Sequence, residues 1–84
     1  MNEVINEKVS VVVVFDKNMG LASPLKIKWR GRIHNIEKIG YHHLVRQGKK
    51  LLHIFSVASK NLFFRLALDT ETLHWKLEEI ADEN

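Results

Sequence analysis

Apolar and polar residues alternate with a period of two along most of this 84-residue chain. Such a period is typical of β-strands that bury one face. It is clearest in L-F-F-R-L-A-L, where Leu62, Phe64 and Leu66 share one side of a strand. The pattern predicts strands at residues 9–15, 25–29, 32–39, 51–58, 62–68 and 73–79, with 41–45 continuing the third strand. We therefore expect an all-β protein.

The connections after Tyr41 are short, which favours an antiparallel meander of sequential strands. About six antiparallel strands in so small a domain are expected to form a small barrel or a strongly curled sheet. We expect a single β domain at residues 9–79, preceded by a flexible N-terminus (1–8) and followed by an acidic C-terminal tail (80–84).

Two short segments allow more than one structure. Arg30 and Gly31 form either a tight hairpin turn, since glycine accepts a positive φ, or a bulge within a longer strand. Ile33, Ile36 and Ile39 are spaced by three, which indicates either a short helix or a strand whose β-bulge switches faces. The neighbouring strands favour the bulged strand.

The first predicted strand is apolar on both faces. Val9, Val11, Val13 and Phe15 alternate with Val12 and Val14 in the run V-S-V-V-V-V-F. A single small domain buries only one face of such a strand, so the other face needs a cover. A second subunit would supply it, and the candidate interface is Val11, Val12, Val13 and Val14. Alternatively, the N-terminal residues or the tail around Ile80 cover this face.

Charge is distributed unevenly along the chain, although the net charge is only +3. Residues 17–68 carry eleven Lys or Arg and one acid, whereas residues 1–16 have a net charge of −2 and residues 69–84 of −5. A basic centre between acidic ends suggests a polyanionic partner, either nucleic acid or an acidic protein. The alternative is that the acidic tail neutralises the basic strands.

The basic residues of P-L-K-I-K-W-R-G-R (24–32) alternate with apolar ones. Leu25, Ile27 and Trp29 are expected to face the core, with Lys26 and Lys28 on the opposite side. Cations interleaved with an aromatic ring are typical of single-stranded nucleic-acid binding, although most sheets also have an ordinary charged outer face. The candidate polyanion-binding residues are Lys26, Lys28, Arg30, Arg32, Arg46, Lys49, Lys50, Phe63 and Arg65.

The sequence carries no pattern that indicates catalysis, a metal site or a cofactor. The five histidines lack the H-x-H and H-x-x-x-H spacings of metal ligands, and no glycine-rich phosphate loop is present. We expect no catalytic residue, no metal and no cofactor. The leading hypothesis is a non-enzymatic binding module whose basic face contacts nucleic acid or another polyanion. The alternative is a protein-interaction or homodimeric assembly module that uses the Val-rich strand.

The chain contains no cysteine, and acids stand near its start where a signal peptide would be basic. Its longest apolar run, residues 11–15, is far shorter than the roughly 18 residues of a membrane span. We expect a cytoplasmic protein with no membrane partner.

Three stretches resemble small bacterial proteins without an established function. They are W-R-G-R-x-H-x-I-x-K-I (29–39), H-x-F-S-V (53–57) and F-R-L-x-L-D-T-x-T-L-x-W-x-L-E (64–78). The resemblance extends over most of the chain. It implies a compact β domain and assigns no functional residues.

Overall fold

The computed structural model describes residues 2–17 and 21–82, and these residues form β-strands joined by turns. The strands are β1 (Asn2–Asp16), β2 (Leu21–Trp29), β3 (Arg32–Asn35), β4 (Lys38–Gln47), β5 (Lys50–Ser59), β6 (Leu62–Asp69) and β7 (Trp75–Asp82). All pairings are antiparallel, in one sheet of order β3-β2-β1-β7-β6-β5-β4. The predicted all-β class is confirmed, with seven strands among the described residues where about six were expected.

The strand count suggested a small barrel or a strongly curled sheet. The observed sheet is neither closed nor strongly curled. Strand β1 is long enough to pair with two different strands: its first half pairs with β7 and its second half, from Ser10, pairs with β2. The sheet therefore has a five-stranded part (β1-β7-β6-β5-β4) and a three-stranded part (β3-β2-β1) that share β1. Within the described residues no pairing joins the edge strands β3 and β4.

Two residues connect these edge strands and hold the two parts together. The N–H of Ile36 donates to the carbonyl of Leu25 in β2 at 2.9 Å, and the N–H of Glu37 donates to Ala58 in β5 at 2.8 Å. The connection from β3 to β4 is thus bonded to both parts of the sheet.

The main core lies between the two parts. Ile27 of β2 is 0% exposed and packs with residues of β5, β6 and β7. The buried members of this cluster are Ile27, Phe55, Val57, Phe64, Leu66, Trp75 and Leu77. A smaller cluster of Leu52, Ile54 and Ala67 is buried on the opposite face of the five-stranded part. The alternation predicted for residues 62–68 is confirmed, and β5 is buried on both faces.

Leu25 is not a core residue, because a bulge in β2 changes the face on which it lies. The β1–β2 register passes from Val12 opposite Lys26 to Val13 opposite Pro24, which leaves Leu25 without a partner. Leu25 is 44% exposed, whereas Pro24 is buried. A bulge inserts one residue and shifts the later side chains to the other face.

Residues 33–39 are neither one bulged strand nor a helix. Strand β3 ends at Asn35, and β4 begins at Lys38 on the opposite edge of the sheet. The three-residue spacing of the isoleucines arises because they belong to two strands and their connection. A bulge does occur nearby, at Gly40, where the β4–β5 register shifts between Ile39 and Tyr41.

The strands extend further toward both termini than the sequence indicated. Strand β1 begins at Asn2 and pairs with β7, so the segment expected to be a flexible N-terminus is largely strand. Strand β7 continues to Asp82 and takes in most of the expected tail. Leu73 precedes this strand and is 70% exposed rather than turned inward. No helix that could cross a membrane occurs in the part of the chain that the structure describes.

Candidate functional site

The predicted basic face is divided between two sides of the molecule. Lys26 and Lys28 alternate with the buried Ile27 and point away from the core on the three-stranded part. Phe63 and Arg65 alternate with core residues of β6 and point away from the core on the five-stranded part. Because the core lies between the two parts, these outer faces point in different directions.

The other candidate cations lie in two hairpins. Arg30 is in the turn between β2 and β3, and Arg32 begins β3 opposite Trp29. Arg46, Lys49 and Lys50 lie at the hairpin between β4 and β5. The structure therefore does not bring the nine predicted residues together into one surface.

Carboxylates neutralise part of this set. Three candidate cations form ion pairs: Arg30 with Glu7 (2.6 Å), Lys50 with Asp69 (3.5 Å) and Arg65 with Glu78 (3.0 Å). Two of these carboxylates, Asp69 and Glu78, belong to the acidic residues 69–84 but precede the tail at 80–84, so these pairs do not test whether the tail neutralises the basic strands. Lys26, Lys28, Arg32, Arg46 and Lys49 have no such ion pair with any described residue.

The β2–β3 turn is a two-residue hairpin fixed by Glu7. Arg30 and Gly31 both have positive φ, 50° and 79°, as a type I′ turn requires. Glu7 accepts hydrogen bonds from Arg30 Nη2 at 2.6 Å and from the indole Nε1 of Trp29 at 3.0 Å. These bonds, first from Arg30 and then from Trp29, lower the pKa of the Glu7 carboxyl. The Arg30 guanidinium also lies 4.6 Å from the centre of the Trp29 ring.

Two of the five histidines, His42 and His53, contact each other. Nε2 of His42 and Nδ1 of His53 are 2.8 Å apart, and their rings are stacked. The ring of His34 contacts that of Phe64 at a centre-to-centre distance of 5.1 Å. Among residues 2–17 and 21–82 no three His, Asp or Glu side chains come together as a metal ion would need.

The predicted interface strand is exposed on both faces. Val12, Val13 and Val14 are exposed, Val11 is half-buried, and Phe15 is 69% exposed. The second half of β1 pairs with β2 but extends beyond the end of β7, which pairs with β1 only as far as Val9. Val11 packs against the main core, whereas residues 12–15 are exposed on both faces.

The backbone of this part of β1 also has an unpaired edge. In a two-residue hairpin the closing residues, here Trp29 and Arg32, are a hydrogen-bonded pair. The backbone groups of alternate β2 residues therefore form hydrogen bonds to β3, in agreement with the bond from the Ile36 N–H to the Leu25 carbonyl. The backbone groups of Lys26 and Lys28 form hydrogen bonds to β1 instead.

The same alternation identifies which groups of β1 lie on its other side. Val12 is opposite Lys26 and bonds to β2, so the N–H and C=O groups of Val11, Val13 and Phe15 point away from β2. Described residues of β7 do not reach them. We call this side of residues 11–15 the β1 edge.

A cavity of about 440 Å³ lies where the β1 edge meets the start of β7. Its apolar walls are Val9, Val11, Leu73 and Trp75. Leu73 has a positive φ of 63°, an unusual conformation for a leucine, which places this apolar side chain beside the edge. This cavity could not be predicted from the alternation, because Leu73 has the parity of a core residue.

Comparisons with protein-family models, with curated proteins and with solved structures found no match for this chain. The resemblance to small bacterial β proteins therefore stays a prediction, and a function has to be argued from the geometry above.

Proposed function

We propose that this protein is an assembly module that forms a homodimer by pairing the β1 edges of two copies. The observation that carries the proposal is the exposure of residues 12–15 on both faces together with unpaired backbone groups. Unpaired strand edges with apolar side chains are templates for another strand. Edge charges or prolines that would discourage pairing are missing from residues 11–15, which read V-V-V-V-F.

Pairing about a two-fold axis at Val13 would engage all three residues whose backbone groups point outward at the β1 edge. Two identical strands can pair antiparallel about a two-fold axis, which gives a closed dimer. With Val13 opposite Val13 of the second copy, Val11 lies opposite Phe15 of that copy, and the reverse holds by symmetry. All three outward-pointing residues then exchange backbone bonds, about six in total. Centring the pair on Val12 would engage fewer of them.

The same register gives Phe15 a place to bury its ring. Directly opposite residues share a face of the sheet, so Phe15 of one copy lies over Val11 of the other. That position adjoins the cavity formed by Val9, Val11, Leu73 and Trp75. A ring that is 69% exposed in one copy would thus be covered by a preformed apolar surface in the dimer.

Sedimentation velocity over a range of concentrations tests the dimer. We expect wild type to associate, and Val13→Lys to remain monomeric, because two ammonium groups would face each other at the axis. Ile33→Lys is the matched control: Ile33 is 64% exposed but lies on β3, away from the β1 edge. Circular dichroism establishes that both variants are folded. A wild type that stays monomeric at every concentration contradicts the proposal, as does a Val13→Lys dimer.

Disulfide trapping tests the register. The chain has no cysteine, and the proposed pairing places Val12 opposite Val14 of the second copy. This is a non-hydrogen-bonded pair with Cα atoms about 4.5 Å apart, within the range for a disulfide. A mixture of Val12→Cys and Val14→Cys proteins should form the mixed disulfide faster than either protein forms its own. Faster self-linking of either single variant would disprove this register.

Polyanion binding is a second candidate, favoured by one observation. Lys26 and Lys28 are exposed side by side on the outer face of β2 and have no ion pair with a described residue. Two unpaired cations at strand spacing can contact successive phosphates. A labelled oligonucleotide should be retained at low salt and released steeply as salt rises, with Lys26→Gln/Lys28→Gln retaining less. Absence of retention at low salt rejects this candidate.

A further inference from the structure

The outer face of the five-stranded part contains a cavity of about 650 Å³, which shares Lys8, His74 and Trp75 with the smaller cavity beside the β1 edge. Its floor includes Leu52 and Ala67, and Trp75 contributes to its wall. Lys8, Lys50 and Lys76 stand at its rim. We call it the lysine cleft. Its volume lies in the range of small-molecule sites, which combine apolar walls with a few polar groups.

Two of these lysines are placed so that their charges repel each other. Lys8 and Lys76 are directly opposite each other in the β1–β7 register. The backbone groups of Val9, like those of Val11, point away from β2, so Val9 and Trp75 are a hydrogen-bonded pair. Lys8 and Lys76 are then a non-hydrogen-bonded pair, in which the side chains approach more closely. Like charges directly opposite in a sheet are destabilising. No described carboxylate forms an ion pair with either of them.

The two carboxylates that line the cleft are already engaged elsewhere. Asp69 accepts the backbone N–H groups of Glu71 and Thr72, and its Oδ2 lies 3.5 Å from Nζ of Lys50. The Glu71 N–H contributes most to lowering the pKa of the Asp69 carboxyl, which keeps it charged and bound in the turn. Glu78 accepts from Arg65 at 3.0 Å. Neither carboxylate therefore neutralises Lys8 or Lys76.

We infer that the lysine cleft binds a small amphipathic anion, with its carboxylate between Lys8 and Lys76 and its apolar body on Leu52 and Ala67. The anion relieves the repulsion between the two ammonium groups. The floor supplies apolar area that a bare inorganic anion would not use. A medium-chain carboxylate has both properties and fits the volume.

NMR titration of the full chain tests this inference, with octanoate as the probe and 1-octanol as its uncharged counterpart. Octanoate should shift the amide resonances around Ala67, Trp75 and Lys76, and bind at least about tenfold more tightly than 1-octanol, since a charge-assisted contact distinguishes them. The double variant Lys8→Gln/Lys76→Gln should lose most of this preference. Lys26→Gln/Lys28→Gln removes the same charge from the other outer face and should bind octanoate as wild type does.

Melting temperature gives a second readout that does not depend on assigning resonances. Octanoate should raise the melting temperature of wild type and of Lys26→Gln/Lys28→Gln, but not that of Lys8→Gln/Lys76→Gln. Repeating the titration in Val13→Lys separates the cleft from the dimer, because the cleft lies within one copy and should bind equally well there. Equal binding of octanoate and 1-octanol, or octanoate binding that survives Lys8→Gln/Lys76→Gln, would overturn the inference.

Discussion

Strand β5 and the second half of β1 both carry apolar side chains on two faces, but only β5 is buried on both. In β5, Ile54 is 2% exposed on the outer face and Phe55 is 1% exposed toward the core. In β1, Val13 and Val14 point to opposite faces and both are exposed. The exposed run is the more apolar of the two, since residues 11–15 read V-V-V-V-F whereas β5 contains His53 and Ser56, so composition does not explain the difference.

The number of neighbours explains it. Strand β5 lies between β4 and β6, and the three-stranded part covers its inner face through Ile27. The second half of β1 has only β2 beside it, because β7 pairs with β1 no further than Val9. Of two strands with apolar side chains on both faces, one therefore stabilises the monomer and the other is left exposed.

The largest expected effect separates the two strand environments directly. Leu66 is 0% exposed beside β5, and Leu66→Ala should lower the free energy of unfolding by about 3 kcal/mol, because it removes buried methyl groups and leaves a cavity. Val13→Ala should cost under about 1 kcal/mol in the monomer. Chemical denaturation in the Val13→Lys background measures the Leu66 effect without a contribution from association. Equal costs at Leu66 and Val13 would show that the β1 edge is covered within one chain.

The next effect concerns the turn that keeps β2 and β3 in register. Gly31 has a φ of 79° and no atom within 4 Å of an added Cβ, so Gly31→Ala tests backbone strain alone. The left-handed conformation costs an L-residue about 1–2 kcal/mol, and we expect that loss of stability. Gly40→Ala is the control, since its φ is not positive and its Cβ would meet only Ser56 O at 3.7 Å. Thermal unfolding of both variants distinguishes them; a harmless Gly31→Ala would contradict the type I′ geometry.

Much of the buried part of the sheet could be predicted from the sequence, because period-two alternation indicates which face of a strand is buried. That logic located the core positions of β6, where Phe64 and Leu66 are buried on one face. It was wrong at Leu25, where a bulge inserts one residue, and at residues 33–39, where the chain passes from one edge of the sheet to the other. Alternation within a strand contains no information about either event.

The candidate sites were less predictable, since they depend on which strands become neighbours. The Val-rich strand could be singled out because a run that is apolar on both faces is visible within one strand. The basic face was not a single surface, because charge summed along the chain does not reveal that β2 and β6 point in different directions. The lysine cleft was missed because Lys8 and Lys76 are 68 positions apart in sequence and meet only in the β1–β7 pairing.

A smaller effect should follow from pH. It should change the free energy of unfolding but not association at the β1 edge. Burial, followed by the charge of His42, lowers the pKa of His53 from its ordinary value of 6.5. Burial, followed by Arg32 and Lys60, lowers that of His34. Below about pH 6.5 the unfolded chain therefore binds more protons than the folded one, and stability falls as the pH is lowered.

Urea unfolding at several pH values measures this slope. Replacing both histidines, His34→Gln/His53→Gln, should flatten it between pH 6.5 and the lowered folded-state values. The β1 edge contains no ionisable side chain in residues 11–15, so the dimer dissociation constant should change little over the same range. A slope that persists in the double variant would assign the pH dependence to other groups.

The smallest expected effect is the most informative about what covers β1. Val14→Thr keeps the branched shape and the β-propensity of the side chain but adds a hydroxyl. In the monomer Val14 is exposed, so its hydroxyl meets water and the free energy of unfolding should change by less than about 0.5 kcal/mol. In the proposed dimer the same side chain faces Val12 of the second copy, and the hydroxyl there would lose water without gaining a partner. Val14→Thr should therefore weaken association while leaving monomer stability intact. A variant that destabilises the monomer and leaves association unchanged would reverse the assignment and make β1 a second strand of the β5 kind.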